Sequence, residues 1–526
     1  MVAGLHGPAA MAPPAFPQGQ RNFAWSGARY SRRSPESTLL YKVVRENLRS
    51  FEDLCQVEGK ALPSYVRKEF DAFLRCGVLA YGFLRLRCND CKRERFVAFS
   101  CKKRGFCGSC GARRMSETAS HLSDNVFPKS AIIRQWVLSM PVPLRFLCAR
   151  NSKLQGKILR LVNKVIAEII KGSLNSNASE NLEAGAVTLI QRFGGHVNLN
   201  VHFHMLHVQG TWEVAANGNT VTFHAAPNPT NEEIAECVEK IARGTLRILK
   251  RMTLLETDEH GHNVITKSDE DSDDPLANIQ AASTQNKIAL GSRRGQRIRR
   301  LIAELEVDIA EGQAQITGPL VAAHAGFSLH AGVSCWSTNK ARLEQLVRYT
   351  ARPAVSEERL SEMENGLISY RLKKPWTDGT THVVFSPLEF MEKLAALVPP
   401  PRIHLTRFHG ILAPHSKWRS FVVPEKPEEM PSKDGDLDAG ADPPVKPKRM
   451  SWAKLLSRVF AIDTESCDHC GGQMKIIAAV MSALAIESIL RHLGIPPRPP
   501  PIAKSQIAIQ ENLWDQSSGF DDFSQC

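Results

Sequence analysis

Cysteine spacing constrains this chain more than any other feature. Residues 88–110 contain Cys88-Asn-Asp-Cys91 and then Cys101-Lys-Lys-Arg-Gly-Phe-Cys107-Gly-Ser-Cys110. Two Cys-x-x-Cys knuckles fifteen residues apart, with a β-like segment over 93–100 between them, match the pattern of a four-thiolate zinc ribbon. Tetrahedral thiolates let a segment too small for a core of its own fold on metal-binding energy. Five cysteines compete for four places. The spacing selects Cys88, Cys91, Cys107 and Cys110 and keeps Cys101 as a substitute ligand. The zinc could be a staple only. It could also shape a DNA-facing surface, because Lys102, Lys103, Arg104, Arg113 and Arg114 crowd the second knuckle and suit a phosphate backbone. A third knuckle, Cys467-Asp-His-Cys470-Gly-Gly, stands alone: His469 or another chain completes a site there, or there is no site at all.

Composition narrows the class of partner. Across 526 residues, 67 Lys and Arg against 54 Asp and Glu leave a net charge of +13, which favours a polyanion, nucleic acid before an anionic membrane. No apolar run reaches the length of a membrane span, and the first twenty residues carry Pro and Gly where a signal peptide needs an apolar stretch. The expectation is a soluble cytoplasmic protein with no membrane partner. There, cysteine pairs point to zinc rather than to disulfides.

Apolar periodicity predicts an α+β fold. Helical faces run through Leu40, Val43, Val44, Leu48 and Phe51, and again through Val66, Phe70, Phe73 and Leu74. Residues 135–140 read as a strand and 154–169 as an amphipathic helix. Residues 186–193, 198–214 and 221–224 then alternate as an antiparallel meander closed by a helix over 232–254. Within it, Val201-His202-Phe203-His204 places both imidazoles on one face of a strand, where they can grip one metal ion or simply satisfy each other as buried histidines. Residues 326–333 read as a strand and 339–351 as a helix stopped by Pro353. On that helix Tyr349 is either another core residue or something more. A hairpin spans 367–385, and Pro387 opens a further helix. The predicted organisation is a disordered basic arm (1–37), a helical and zinc-binding domain (38–125), a sheet-and-helix domain (126–423) with a solvated insertion at about 257–300, a linker (424–448), and a small C-terminal module (449–526). The arginine run 293–300 is open between DNA contact, a solvated helix face and a partner for acidic residues.

Taken in order, the cysteine cluster, the strand His202-Phe203-His204 and the helix Leu346-Val-Arg-Tyr349-Thr-Ala-Arg-Pro resemble the rolling-circle transposases of the insertion sequence 91 family. These belong to the HUH single-strand endonucleases, named for two histidines flanking a hydrophobic residue. The likeness runs from about residue 40 to 423 and extends to the Cys467 knuckle. It implies an N-terminal zinc domain followed by an HUH-type antiparallel sheet flanked by helices. Many members carry two tyrosines four residues apart. Here that position is Gln345, so the chain resembles the single-tyrosine relatives of common-region elements. His207 and Gln209 stand where an Asp-Gly is frequent, leaving Gln209, Gln345 and His330 as candidates for a third metal ligand.

The resemblance implies a bacterial cytoplasmic enzyme, nucleoid-associated during action, whose partner is single-stranded or hairpin DNA at the element ends. Tyr349 is then the nucleophile, forming a 5′-phosphotyrosine and freeing a 3′-hydroxyl. Mg²⁺ or Mn²⁺ on His202 and His204 would stabilise the developing charge, beside structural Zn²⁺ in the thiolates. Two rival classes are a non-catalytic zinc-ribbon nucleic-acid-binding protein and a metal-dependent nuclease using activated water. A covalent DNA adduct separates the first reading from both.

Overall fold

A computed structural model of the protein describes residues 34–507, apart from 60, 175–180, 217, 219, 258–262, 266–273, 303–315, 317, 377 and 425–465. The basic arm expected over 1–37 and the linker expected over 424–448 fall almost wholly outside the described residues, as does most of the acidic part of the insertion.

Two amphipathic helices open the chain. Thr38 caps the helix Leu39–Val57, its hydroxyl accepting from the Tyr41 amide at 3.3 Å. The buried faces of this helix and of Ser64–Arg75 meet through Phe51 and Phe70, and Phe70 stacks on Phe106 at 4.9 Å between centroids. A hairpin, Phe83–Cys88 with Glu94–Ala98, leads to the helix Gly108–Asn125.

The centre is a six-stranded antiparallel sheet in the order Val321–His324, Phe327–Trp336, Ile132–Ser139, Leu199–Val208, Gly185–Phe193, Thr406–Gly410. Its back is covered by the helices Val142–Arg150, Ser152–Gly172, Asn231–Arg251, Pro275–Thr284 and Pro387–Leu397, whose apolar residues pack with Val201, Phe203 and Met205. Its front meets the helices Gly108–Asn125 and Lys340–Thr350, through Ala119, Leu122, Leu343, Leu346 and Val347 against Leu206 and Val208. With no helix among the described residues long and apolar enough to cross a membrane, the apolar faces are spent on this core.

Three expectations change. The strand expected over 198–214 breaks at Gly210, whose φ of +153° and whose approach to the His224 carbonyl, 2.4 Å from where a Cβ would lie, exclude a side chain. Gly210–Val214 then pairs with Val221–Ala225 and Leu182–Glu183 in a separate sheet, so the histidine strand lies between Gly185–Phe193 and Ile132–Ser139 rather than inside a simple meander. The solvated insertion contributes a buried helix, Pro275–Thr284, and a strand, Arg299–Ile302, paired with Thr380–Phe385. The arginine run serves the fold: Arg293 and Arg299 hold Glu389 at 2.6 and 3.0 Å, Arg294 meets Glu58 at 3.5 Å and Arg300 meets Asp378 at 2.7 Å. The third change is at the C-terminus. Met474–Val480 adds to the first hairpin as a strand antiparallel to Phe83–Cys88, so the expected C-terminal module is joined to the N-terminal one.

Burial also sets an acid limit. It pushes His196 and His409 down to about 4 and His207 down to about 3. These folded values lie below the ordinary 6.5, so as pH falls the unfolded chain takes up the protons first. The associated stability is intact above about pH 6.5 and declines towards the folded values, by roughly 1.4 kcal/mol per histidine per pH unit at most. The denaturant midpoint should therefore drop between about pH 7 and pH 5. A midpoint that held or rose would contradict this account.

Candidate active site and metal centres

On the strand Leu199–Val208, the period of two sends His202 and His204 to the front of the sheet. Register places His204 between Val137 and Leu189, and His202 between Ser139 and Gln191. The helix Lys340–Thr350 covers this spot. Asn339 caps it, accepting from the Arg342 amide at 3.1 Å, and Leu343, Leu346, Val347 and Thr350 anchor its inner side. Tyr349 is not a core residue: it is 45% exposed, although it lies one turn from buried Leu346. Its ring stands edge-on to His204 at 6.3 Å between centroids, and the two imidazoles are 4.9 Å apart. The Lys373 ammonium lies 4.8 Å and the Arg352 guanidinium 5.4 Å from the tyrosine ring centre, so two cationic groups flank the exposed ring. Tyr370, the next tyrosine along the chain, is wholly buried, and its hydroxyl accepts from Arg359 at 2.7 Å.

Both histidines are suited to ligation. Burial lowers His202 to about 4, with the Asn200 carbonyl opposing and Arg352 and Arg145 adding to the effect. Burial, then His202 and Arg352, hold His204 well below its ordinary value. Neutral imidazoles carry the lone pair a cation needs. His202 Nδ1 is engaged at 2.9 Å by the Asn200 carbonyl, which directs Nε2 outwards. Gln135 Nε2 lies 2.7 Å from His204 Nδ1 and, so placed, donates to it. Turned about its Cγ–Cδ bond, the same amide presents its oxygen to Nδ1–H and leaves Nε2 of His204 free to ligate.

Gln135 was not among the expected residues. The only sequence signal for it is a polar side chain on an otherwise apolar strand. Of the expected third ligands, Gln209 is on the opposite face, where its side chain accepts from Arg134 at 2.7 Å and donates to the Pro227 carbonyl at 2.6 Å, so it is corrected to a structural residue. Gln345 is exposed one turn before Tyr349. His330 pairs across to Val137, two strands from His204 on the same face. Among the described residues, no third His, Cys, Asp or Glu converges with the histidine pair.

The cysteines regroup. Cys88, Cys91, Cys107 and Cys110 do not form one site. Cys76, Cys101, Cys107 and Cys110 converge in one quartet, and Cys88, Cys91, Cys467 and Cys470 in another, with all sulfurs of a quartet within 4.8 Å. The hairpin is the reason. At its neck Gly77 donates to the Phe99 carbonyl at 2.9 Å, bringing Cys76 to Cys101, whereas its tip carries Cys88 and Cys91 some 20 Å away along six strand residues. Cys76 was missed because no Cys-x-x-Cys partner marks it. Neighbouring sulfurs lie 3.4–3.7 Å apart in the first quartet and 3.5 Å apart in the second. Tetrahedral Zn–S bonds of about 2.3 Å require sulfur separations of about 3.8 Å, so both quartets fit zinc. Hydrogen bonds from Cys101, Cys107 and Cys76 draw the Cys110 thiol down, and the His469 and Cys470 amides draw Cys467 to about 7, while Cys101, Cys107 and Cys91 are pushed up, so without a cation each quartet concentrates its negative charge on part of its sulfurs. Gly472 makes the second quartet possible: a Cβ there would sit 3.0 Å from the Cys88 sulfur and 2.1 Å from an Asp90 oxygen.

The expected DNA-binding cations are partly committed to the protein. Arg104 donates to the Ile403 carbonyl, Arg114 to the carbonyls of Lys102 and Lys103 at 3.1 and 3.2 Å, and Arg113 to Glu117 at 2.8 Å. Arg104 ties the knuckle to the segment ahead of the last sheet strand, whereas Arg113 and Arg114 bond within the zinc-binding region itself. Lys102 is exposed, and Lys103 is half-buried.

Metal analysis should return two zinc ions per chain. Cys76→Ser and Cys467→Ser should each remove one and leave the other. Loss of both ions from either variant, or one ion in the wild type, would contradict two independent quartets.

Comparison with known proteins covers both halves of this arrangement. Residues 45–140 match the "Transposase zinc-binding domain" of insertion sequence 91, and residues 185–419 match the family described as "Putative transposase". The first match contains the whole Cys76 quartet and one pair of the second. The second match contains His202, His204 and Tyr349. No curated protein and no solved structure matches the chain. On these two matches, in this order along one polypeptide, the chain belongs to the transposases of the insertion sequence 91 family.

Proposed function

We propose that this transposase cuts and rejoins single-stranded DNA at the ends of its element through a 5′-phosphotyrosine on Tyr349, as a rolling-circle enzyme of the HUH type. The observation that carries the reading is the exposed Tyr349 side chain beside a buried, neutral histidine pair and two cationic side chains. The phenol oxygen attacks phosphorus and its proton leaves to solvent. The O–P bond forms as the bond to the 3′-oxygen breaks, and that oxygen departs with the electron pair and takes a proton from water to become a 3′-hydroxyl. Because the phosphodiester energy is kept in the tyrosyl ester, a later 3′-hydroxyl can attack it and regenerate Tyr349 without ATP.

Arg352 and Lys373 sit where they can hold the anionic phosphate against the ring. His202 and His204 would hold Mg²⁺ or Mn²⁺, with Gln135 fixing His204, and such a cation would screen the scissile phosphate and polarise its oxygens. The two zinc quartets have no part in the chemistry. They set the shape of the N-terminal region and its docking on the sheet.

Tyr349→Phe keeps the ring and removes the nucleophile. On a denaturing gel of labelled single-stranded DNA with Mg²⁺ or Mn²⁺, the wild type should give a protein-linked band and the Phe variant none, while its DNA binding survives. A persistent adduct in Tyr349→Phe would refute the assignment. Both rival readings, a binding protein and a water-activated nuclease, expect no adduct from the wild type.

His202→Ala and His204→Ala should keep the nucleophile and lose on the order of 10²-fold in cleavage rate, partly restored by raising the metal concentration. Gln135→Leu should act more mildly, weakening the apparent metal affinity by about 10-fold while leaving the rate at saturating Mn²⁺ near that of the wild type. A Gln135→Leu rate that stayed low at every metal concentration would assign Gln135 to something other than positioning His204.

A further inference from the structure

The back of the central sheet carries a feature the front-face chemistry does not use. Between the helix Ser152–Gly172 and the strand ends at 184–186 and 407–410 lies an open cleft of about 750 Å³. Small residues make the hollow: Gly156 and Ala167 on the helix face Gly185, Ala186 and Gly410. Gly156 is a helix-interior glycine whose added Cβ would meet nothing within 4 Å, so packing does not require it.

Two buried side chains with unpartnered polar atoms line this cleft, of which His207 also borders a smaller pocket beside Trp136 and Gln209. His207 is 1% exposed, and neither ring nitrogen has a partner among the described residues. Asn163 is 7% exposed; its Nδ2 donates to the Leu159 carbonyl at 2.9 Å, and its Oδ1 has no partner. Burial holds His207 neutral, leaving one ring donor and one acceptor. A donor, an acceptor and an amide oxygen at the floor of a cleft form a set that the edge of an unpaired nucleobase satisfies.

The rim is cationic. Lys153, Lys157, Arg160, Lys164 and Lys171 recur at steps of four, three, four and seven residues, which keeps all five within about 40° of one direction along a run of about 27 Å. Arg407 and one acid, Glu183, also line the cleft. Among the described residues, Lys164 alone of these five meets an acid, Glu168 at 3.7 Å, and both of those side chains are exposed.

We propose that this cleft is a second strand-binding groove: a single-stranded DNA segment lays its phosphates along the cationic stripe of Ser152–Gly172 and turns one base into the hollow against Asn163 and His207. The proposal rests on the reading that this transposase works on single-stranded DNA. It adds where a strand runs beyond Tyr349. His207 follows His204 by three residues on the same strand and therefore points to the opposite face, so DNA occupying both sites must round the edge of the sheet at Thr406–Gly410. A duplex cannot offer an unpaired base to the hollow, which is why the single strand is favoured.

The test measures equilibrium binding by fluorescence anisotropy with the full chain in a Tyr349→Phe background, so that cleavage plays no part. The probes are oligo-dT of about 8 and about 40 nucleotides and an abasic strand of the longer length. The triple variant Lys157→Gln, Arg160→Gln, Lys164→Gln alters only exposed side chains. It should bind the long strand about 10-fold or more weaker, with the log–log salt slope reduced by about 2, and should bind the short strand as before. Gly156→Leu introduces a better helix former that fills the hollow. It should weaken the long oligo-dT several-fold and leave the abasic strand unaffected. Unchanged affinities and salt slope in both variants would overturn the groove, as would a triple-variant loss confined to duplex DNA of the same length. Adduct formation by the protein with an intact Tyr349 is scored separately: an adduct without the groove effects sinks this proposal alone, and the groove effects without an adduct sink the phosphotyrosine reading alone.

Discussion

Everything in the sheet domain depends on the backbone ladder that holds Leu199–Val208 between Ile132–Ser139 and Gly185–Phe193. Because side chains alternate, this one register sends His202 and His204 to the front with Leu206 and Val208, and Val201, Phe203, Met205 and His207 to the back. A slip of one residue would bury the wrong set and exchange the two faces. The register is pinned by packing, with Phe203 and Met205 wholly buried, and by Arg134. Its guanidinium reaches Gln209 at the end of the histidine strand and the Ala331 carbonyl, at 2.7 Å each. Ala331 lies within the register shift between His330 and Val333, so Arg134 ties an irregular strand to a regular one.

The thiolate quartets impose a different kind of order. The first joins residues within one local fold. The second joins Cys88 and Cys91 to Cys467 and Cys470, far along the chain, and the strand Met474–Val480 beside Phe83–Cys88 adds backbone hydrogen bonds to the same junction. Closing so long a loop costs only about 0.6 kcal/mol more for each doubling of length, so metal ligation and one strand pairing suffice to hold it. Arg95, largely buried, reaches Asp468 at 3.1 Å and reinforces the same contact from the other hairpin strand. The C-terminal segment thus completes the N-terminal sheet, and the knuckle that looked incomplete in isolation has its missing ligands there.

Charge is distributed to match. Four arginines of the run 293–300 pair with Glu389, Glu58 and Asp378, and three of the knuckle arginines bond protein carbonyls or Glu117. Cations beside Tyr349 and along the helix Ser152–Gly172 lie on the two faces of one sheet. A positive total is therefore weak evidence of where a polyanion sits, because fold-stabilising pairs absorb charge without regard to its place in the sequence.

The sequence by itself determined what depends on near neighbours. Helical period placed Leu39–Val57, Ser64–Arg75, Ser152–Gly172 and Lys340–Thr350, and strand period put His202 and His204 on one face, since both signals are local and repeat within a few residues. The order of cysteines, histidines and tyrosine was enough to identify the family. Pairings between distant segments were decided by the tertiary structure. Cys76 joins Cys101 only because a hairpin folds back at its neck, and Cys88 meets Cys470 only because a C-terminal strand pairs with that hairpin. Gln135 reaches His204 only because Ile132–Ser139 lies beside the histidine strand, and His207 faces a cleft only because a helix with glycine and alanine on that side crosses behind it. None of these contacts leaves a periodic trace, because each is set by the three-dimensional path of the backbone rather than by spacing along it.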